Sequence, residues 1–182
     1  KPTYLRRGVH ETELRVIHSK LPDRGALFRV PITVVVPEPP QSRIADSLES
    51  SAGAEFRRFL TVPTGATTMG VKLTLSDADS ERLILLHPLQ LHEGESGKDE
   101  DTLRYLLLVP GESVTEVFPA VENGTVELCL AQYWSRLGDA TLDYEVTFRG
   151  LAPSDDRITL APGESSVINI ECPAAQEFLS PS

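Results

Sequence analysis

Two stretches of this chain alternate between apolar and polar residues, and this alternation limits the fold more than any other feature. In residues 126–130 valine and leucine alternate with glutamate and cysteine, and in residues 142–149 leucine, tyrosine, valine and phenylalanine alternate with polar residues. A period of two is typical of a strand with one buried face, because successive side chains point to opposite sides of a sheet. No stretch sustains the 3.6-residue period of a helix. The sequence therefore predicts an all-β protein whose core is built around these two strands.

The segment between the two strands contains the chain's single tryptophan, Trp134, beside Tyr133. Leu137, Gly138 and Asp139 follow and predict a turn. Aromatic side chains next to strong strands are more often buried than exposed, so we predict that both rings belong to the core. The alternative is an exposed aromatic platform on which a sugar ring could stack.

The amino-terminal part of the chain predicts a β-hairpin. Residues 8–16 and 27–36 form its strands, and the Leu-Pro-Asp-Arg-Gly sequence at 21–25 supplies the turn. Pro31 lies inside the second strand and has no N–H to donate. That strand should therefore lie at a sheet edge or carry a bulge.

A domain boundary is predicted after this hairpin. The Pro-Glu-Pro-Pro sequence at 37–40 is typical of a stiff, extended linker. Residues 41–54 are polar and small without a clear period, which predicts a loop.

The middle of the chain predicts a series of strands bounded by turn residues. These strands cover residues 55–62, 71–75, 82–91, 103–109 and 114–118. The continuous leucines of 82–91 predict burial on both faces, although Pro88 must break that strand or place it at an edge. Residues 54–150 therefore predict an antiparallel β-sandwich, either jelly-roll or immunoglobulin-like. Two short strands at 157–160 and 166–171 either close it or begin another domain.

The Asn123-Gly124 dipeptide is a strong hairpin signal, because both residues tolerate positive φ. With Thr125 it also fits the N-glycosylation sequon. The turn explains the residues without a glycan, and we predict a turn.

Charge and hydropathy exclude two classes of partner. Seventeen basic residues against 27 acidic ones give a net charge of −10, and no cluster of Lys or Arg interleaves with aromatic residues. We therefore expect no nucleic-acid partner and no binding to anionic membranes. No apolar run is long enough to span a bilayer. The first seven residues lack the apolar segment of a signal peptide, which we expect of an internal fragment.

The two cysteines, Cys129 and Cys172, lie far apart in sequence and in no metal-binding or redox spacing. We predict two reduced, inert thiols, which fits a reducing compartment better than an oxidising one. Pairing in an oxidising compartment is the alternative.

Residues suited to catalysis or metal binding are sparse. The four histidines, His10, His18, His87 and His92, show no metal-ligand spacing, and we interpret them as ordinary surface or strand residues. No Gly-x-Ser-x-Gly elbow, no Ser-His-Asp set and no glycine-rich phosphate loop stands out. The sequence thus predicts no catalytic, cofactor-binding or metal-binding residue.

An acidic run at 77–81 begins like a calcium loop. Arg82 stands where an EF-hand requires glycine, and Pro88 stands where it requires a bidentate glutamate, so an EF-hand is excluded. Two interpretations remain: a solvated acidic turn, or a looser calcium site built from Asp77, Asp79 and Glu81 or from Asp99, Glu100 and Asp101.

Several segments carry a family resemblance. They are GVH at 8–10 with GALFRVPIT at 25–33, RRFLTVPTGAT at 57–67, and the stretch from FP at 118–119 through ELCLAQYW at 127–134 to DYEVTFRG at 143–150. In order and spacing they resemble the central β-rich region of the tripeptidyl-peptidase II family, the giant subtilisin-family serine exopeptidases. The acidic loop at 92–102 and the segment at 41–54 match this family poorly.

The resemblance implies an architecture of three parts. Residues 1–37 would be the end of a preceding immunoglobulin-like domain, and residues 42–152 a galactose-binding-like β-sandwich of the jelly-roll type. Residues 153–182 would supply closing strands or begin a second immunoglobulin-like domain. The family's catalytic triad lies in another domain, and no position here matches it, so this chain should not cleave peptides.

The resemblance also implies a function. The parent would release tripeptides from free amino termini of oligopeptides in the cytosol, as a very large homo-oligomer. This chain would be a non-catalytic spacer and assembly module without a cofactor, and its partners would be other domains and subunits of the parent. The alternative is a sandwich that binds carbohydrate or calcium through its loops. A fold name such as galactose-binding-like does not confer that activity.

Overall fold

The computed structural model describes residues 5–91, 102–135, 137–150, 152–153, 162–163 and 165–171. It divides into two compact units, Lys1–Glu38 and Pro39–Ser182. Within the described residues, regular structure consists of twelve strands and one 3₁₀ helix of three residues. The predicted all-β class is confirmed.

The first unit contains the predicted hairpin. Strands β1 (Gly8–Ile17) and β2 (Ala26–Val36) pair antiparallel, and the 3₁₀ helix Pro22–Arg24 lies between them. Gly25 ends this helix with a φ of 82°, a conformation that glycine adopts without strain. Pro31 lies opposite Glu13 in a two-stranded sheet. Each strand of such a sheet has one unpaired edge, where a missing N–H is tolerated.

The second unit is a sandwich of two four-stranded antiparallel sheets. Its strands are β3 (Arg43–Ser50), β4 (Glu55–Thr61), β5 (Thr68–Asp77), β6 (Arg82–Leu91), β7 (Arg104–Leu108), β8 (Ser113–Pro119), β9 (Thr125–Gln132) and β10 (Ala140–Arg149). The first sheet has the order β3-β10-β5-β8 and the second the order β4-β9-β6-β7. This interleaving of eight strands between two sheets is that of a jelly roll. A two-residue pair, β11 (Ala152–Pro153) with β12 (Ile170–Glu171), follows.

The two strands that alternate most regularly are the ones that hold the sandwich together. Strand β9 pairs with β4 and β6, and strand β10 pairs with β3 and β5, so each has a neighbour on both sides. Their inward faces are buried in one apolar core between the sheets. Members of that core from these strands are Val126, Leu128, Leu130, Leu142, Tyr144, Val146 and Phe148. The prediction of a core built around the two strands at 126–130 and 142–149 is confirmed.

The prediction of a loop over residues 41–54 is wrong. Residues Arg43–Ser50 form β3, which pairs with β10 along its whole length. The apolar signal of this edge strand is weak, because one inward position is occupied by Asp46. Its carboxylate accepts a bond of 3.1 Å from Arg58 on β4, and Arg58 also bonds the hydroxyl of Tyr144. A polar contact between the two sheets thus occupies a position where an apolar residue would have completed the alternating pattern of a strand.

The Asn123-Gly124 turn is present, but it does not make a hairpin. Asn123 has a φ of 59°, as the dipeptide predicts. Strand β8 before the turn belongs to the first sheet, however, and β9 after it belongs to the second. The turn therefore carries the chain across the sandwich, where the N–H of Asn123 donates to the carbonyl of Val62 at 3.0 Å.

Strand β6 is buried on one face only, contrary to the prediction of burial on both. Ile84 and Leu86 are buried in the core, whereas Leu83 and Leu85 point outward and are half-buried. Strand β7 pairs only with Arg82–Leu86, so Pro88 lies where β6 has a neighbour on one side. The proline is accommodated at a local edge, and the outward leucines lie on the surface of the second sheet.

Candidate interaction surface

The sandwich has two distinct ends. The chain enters β3 and leaves β10 at one end, and four connections cluster at the other, which we call the loop end. These connections are residues 51–54, 78–81, 109–112 and 133–139. The candidate features lie at the loop end and on the outer surfaces of the two sheets.

The outer surface of the second sheet is apolar next to the loop end. We call this surface the leucine–tyrosine face, and it consists of Leu83, Leu85, Tyr105, Leu107, Ala131 and Tyr133. Leu85 lies between Ala131 and Tyr105 in the strand register, and Leu83 lies opposite Leu107. The N–H of Tyr133 donates to the carbonyl of Leu83 at 2.8 Å. The rings of Tyr105 and Tyr133 meet edge to face with centroids 5.9 Å apart.

The row beside this face is polar but internally paired. Arg57 bonds Glu127 at 2.5 Å, and its guanidinium also lies 5.6 Å from the centre of the Phe59 ring. This pairing raises the pKa of Arg57. Arg57 and His87 flank Cys129 in the register of β4, β9 and β6. Arg57 and Glu127 therefore compensate each other within the sheet, whereas Glu55 lies opposite Ala131 at the border of the face.

Cys129 is a free thiol at the border of the leucine–tyrosine face. Burial raises its pKa, and the carboxylates of Glu55 and Glu127 raise it further. Since the thiolate is the nucleophile, this cysteine is weakly reactive at neutral pH. Cys172 lies outside the described residues.

The outer surface of the first sheet has the opposite character. Its outward residues include Arg43, Ser47, Glu49, Thr68, Lys72, Thr74, Ser113, Thr115, Thr141, Asp143, Glu145 and Thr147. Arg43 and Glu145 form a two-bond ion pair with distances of 2.9 and 2.8 Å, and this pairing lowers the pKa of Glu145. A surface of this kind is compatible with water, whereas the leucine–tyrosine face resembles the core of a protein interface.

A polar cavity opens at the loop end. It has a volume of about 310 Å³ and is lined by Glu49, Asp77, Ala78, Asp79, Arg82, Asp139, Ala140 and Thr141. The Arg82 side chain is 1% exposed, yet its guanidinium reaches out of the core to the surrounding loops. It donates to the carbonyls of Ser80 and Asp139 and to the carboxylate of Asp79. The Arg82 contact lowers the pKa of Asp79.

The prediction that Trp134 and Tyr133 belong to the core is wrong. Trp134 is 70% exposed and Tyr133 is 41% exposed. Both follow the last residue of β9, in the connection that projects beyond the core. The indole lies against Gly53, where a Cβ would approach the ring to 3.0 Å. The tryptophan is therefore a surface residue of the loop end.

The other residues singled out from the sequence are dispersed. His10 and His18 lie on the hairpin, and His87 lies on the outer surface of the second sheet. Asp77 and Asp79 line the cavity together with Arg82, whereas Glu81 does not. Across the described ranges, no three His, Cys, Asp or Glu side chains come together in a way that could hold a metal ion. His92 and residues 99–101 lie outside the described residues.

Sequence reasoning identified neither the leucine–tyrosine face nor the role of Arg82. The leucines of β6 were a visible signal, but they predicted burial. An arginine in a strand gives no signal of its own. In the parts that the structure describes, no helix has the length and hydropathy to cross a membrane.

Two four-stranded antiparallel sheets with jelly-roll topology are the architecture of a galactose-binding-like β-sandwich domain. Comparison with solved structures agrees. A crystal structure of tripeptidyl peptidase 2 superimposes on 86% of this chain with a TM-score of 0.72, at 24% identity. The matched part is 14% of the chain in that crystal structure. The family model described as the galactose-binding domain-like region of TPPII matches residues 52–138, and the first immunoglobulin-like domain of tripeptidyl-peptidase II matches residues 1–35. The chain belongs to the tripeptidyl-peptidase II family.

Individual relatives agree with this assignment. Tripeptidyl-peptidase 2 of Arabidopsis thaliana is 31% identical over 99% of the chain, and that of Drosophila melanogaster is 30% identical over 82%. The chain spans 14% and 12% of the lengths of these two relatives. The regions matched are domains outside the catalytic domain of the peptidase, which agrees with the lack of a catalytic triad in the sequence.

Proposed function

We propose that this chain is a non-catalytic part of a longer tripeptidyl peptidase, in which the sandwich supplies contacts for assembly. The supporting observation is the position of its two links, which are the residues by which the chain enters and leaves the sandwich. The N–H of Phe148 donates to the carbonyl of Ser42 at 2.9 Å, and Arg43 lies opposite Thr147 on neighbouring antiparallel strands. The polypeptide thus enters and leaves the sandwich side by side, at the end opposite the loop end.

We call a domain attached in this way, with both links at one end, a lobe. Its strands are about 30 Å long, but that length adds almost nothing to the distance between the segments before and after it. Assembly contacts therefore fit this geometry better than spacing along the chain. In this proposal the parent releases tripeptides from free amino termini of cytosolic oligopeptides as a homo-oligomer of the subtilisin family. The partners of the sandwich are then other domains and subunits of that parent.

Deletion of the sandwich from the parent tests the proposal. Residues 42–150 would be replaced by a short Gly-Ser linker, which can join the two links because they are adjacent. Hydrolysis of a tripeptide substrate per catalytic site should change by less than about threefold, since the lobe supplies no catalytic group. The assembled mass, measured by light scattering after gel filtration, should fall.

The control carries the same linker inserted after Pro40 with the sandwich retained, and it should assemble normally. A deletion variant that assembles to the full mass would overturn the proposal.

A second function, carbohydrate binding, is favoured by one observation, the exposed indole of Trp134 on the loop end that also carries the Arg82 cavity. An exposed aromatic ring with polar groups nearby is what a sugar site requires. Since Trp134 is the chain's single tryptophan, its fluorescence reports on this position alone. Galactose at millimolar concentration should then shift the emission saturably. Emission unchanged by galactose and related sugars would exclude this function for those ligands.

A further inference from the structure

We infer that the leucine–tyrosine face is covered, in the longer peptidase, by an apolar segment of the same polypeptide that lies outside these 182 residues. The inference rests on the proposed function only because it places the chain within a longer peptidase. It adds the surface that is used and the chemistry of its occupant.

The exposed side chains of the face carry the first step. Tyr105 is 56% exposed and Leu107 is 51% exposed, on the edge strand β7. With Tyr133 they surround Leu83 and Leu85, which are half-buried. A contiguous apolar patch with tyrosines is typical of the centre of a protein interface, where aromatic residues are enriched and charged ones depleted. The outer surface of the first sheet provides the internal contrast, because it has the same strand geometry but mostly polar residues.

The row beside the face indicates what the occupant is made of. Arg57 and Glu127 already compensate each other at 2.5 Å, which leaves Glu55, opposite Ala131 at the border of the face, as the carboxylate that an incoming charge could meet. Placing a charged group on the leucines would cost its hydration. The occupant should therefore present apolar side chains, as one face of an amphipathic helix or of another sheet does.

Two observations favour the same polypeptide over a second copy of this chain. The chain carries a net charge of −10, so two copies brought face to face would repel each other. In addition, the chain spans only 14% of the length of the Arabidopsis relative, so a parent of that length contains ample polypeptide to cover the face. Intramolecular docking also needs no minimum concentration of subunits.

Cys129 is a natural reporter of this coverage. It lies two residues before Ala131 on β9, on the same outer surface, and its thiol is free. Cleavage by trypsin after Arg104 and Arg136 yields a peptide in which Cys129 is the sole cysteine. The rate of its alkylation by N-ethylmaleimide can therefore be measured by mass spectrometry within the intact parent.

The expected result is that Cys129 of the parent is alkylated at least about tenfold more slowly than Cys129 of the 182-residue chain. This protection should be the same at all parent concentrations. A matched control is the thiol introduced by Thr147→Cys. Thr147 is also half-buried and outward-facing on a central strand, but it lies on the polar surface of the first sheet. Its alkylation rate should be similar in the two proteins.

A second pair of variants tests the occupant. Leu107→Asp in the parent should displace the segment and restore alkylation of Cys129 toward the rate in the 182-residue chain. Val117→Asp is its control, because Val117 is also exposed on an edge strand, β8, but on the other sheet. Both exchanges replace exposed residues, so both variants should fold, which circular dichroism would verify.

Two outcomes would overturn the inference. Equal rates for Cys129 in the parent and in the 182-residue chain would show that no segment outside these 182 residues covers the face. Protection that vanishes when the parent is diluted to single subunits would assign the occupant to another subunit. Neither outcome depends on the deletion experiment, because a lobe can be covered intramolecularly whether or not it contributes to assembly.

Discussion

Replacement of Gly150 by alanine is expected to destabilise the sandwich by about 3 kcal/mol or more, because the new methyl group has no space. A Cβ at this position would lie 2.0 Å from the carbonyl oxygen of Gly65, 2.8 Å from the nitrogen of Thr67 and 2.9 Å from the Cα of Ala66. All three atoms belong to the backbone, so no side-chain rotation can relieve the contact. The turn at 63–67 would have to move away from the end of β10.

This displacement would disrupt several backbone contacts at once. The N–H of Thr67 donates to the carbonyl of Arg149 at 2.9 Å, and the carbonyl of Thr67 accepts from Ala120 at 3.0 Å. The exchange should lower the melting temperature of the chain by about 6 °C or more. Urea unfolding monitored by circular dichroism would measure the loss of stability.

Gly70→Ala is the matched control, since Gly70 lies on β5, which pairs with the strand that Gly150 follows. Its added Cβ would approach the carbonyl oxygen of Thr147 to 3.7 Å, an ordinary van der Waals contact. That exchange should be neutral or slightly stabilising, because alanine loses less conformational entropy on folding than glycine does. Equal effects of the two exchanges would contradict the assignment of Gly150 as a position of close backbone approach.

The sequence predicted the elements of the sandwich better than their arrangement. The alternation at 126–130 and 142–149 identified β9 and β10, because strands with a neighbour on both sides and one buried face carry the clearest period of two. It did not determine which strands pair. A period of two shows that one face is buried but not which sheet buries it. The alternation therefore left jelly-roll and immunoglobulin-like arrangements open, and the family resemblance favoured the jelly roll.

The misses share a physical cause, which is a local pattern overridden by distant contacts. Strand β3 was missed because Asp46 points inward to meet Arg58, a partner twelve positions away. Asn123-Gly124 was interpreted as a hairpin because the dipeptide specifies a turn and not the sheet that follows it. Trp134 was predicted to be buried because it follows a strong strand, although the connection that carries it extends beyond the core.

The candidate surface was not predictable from sequence. The leucines of β6 were visible as a run, but burial on both faces and an apolar outer surface give the same run of letters. In the sequence Gly150 likewise resembles an ordinary glycine at a strand end. Glycine is needed there because the backbone of residues 65–67 approaches it closely. These properties depend on the pairing of strands, and a single sequence does not specify that pairing.

Replacement of Arg82 by alanine should cost about 2 to 4 kcal/mol, because it removes a hub of hydrogen bonds and leaves a cavity. Arg82 is the largest of the fully buried side chains among the described residues. It donates to the carbonyls of Ser80, Glu81 and Asp139, which belong to two connections of the loop end. Without it, these carbonyls lose their donor beside a partly closed cavity.

The exchange Asp79→Asn distinguishes the two roles that Arg82 could have. The Asp79 side chain is 82% exposed, so solvent screens its ion pair with Arg82. If Arg82 acts mainly as a donor to loop carbonyls, Asp79→Asn should change stability little, and Arg82→Ala should be nearly as costly in its presence as alone. Urea unfolding of both single variants and the double variant would measure this.

The pH dependence of unfolding gives an independent check on the same pair. Arg82 lowers the pKa of Asp79 in the folded chain, so the ion pair contributes stability above the unfolded pKa of that carboxyl. The contribution is lost as the pH falls through the lower, folded pKa. Below that pH the cost of Arg82→Ala should therefore decrease only slightly, because the bonds to the loop carbonyls do not titrate. If the stability cost of Arg82→Ala instead disappeared in acid, the ion pair with Asp79, and not the bonds to the loop carbonyls, would account for the contribution of Arg82.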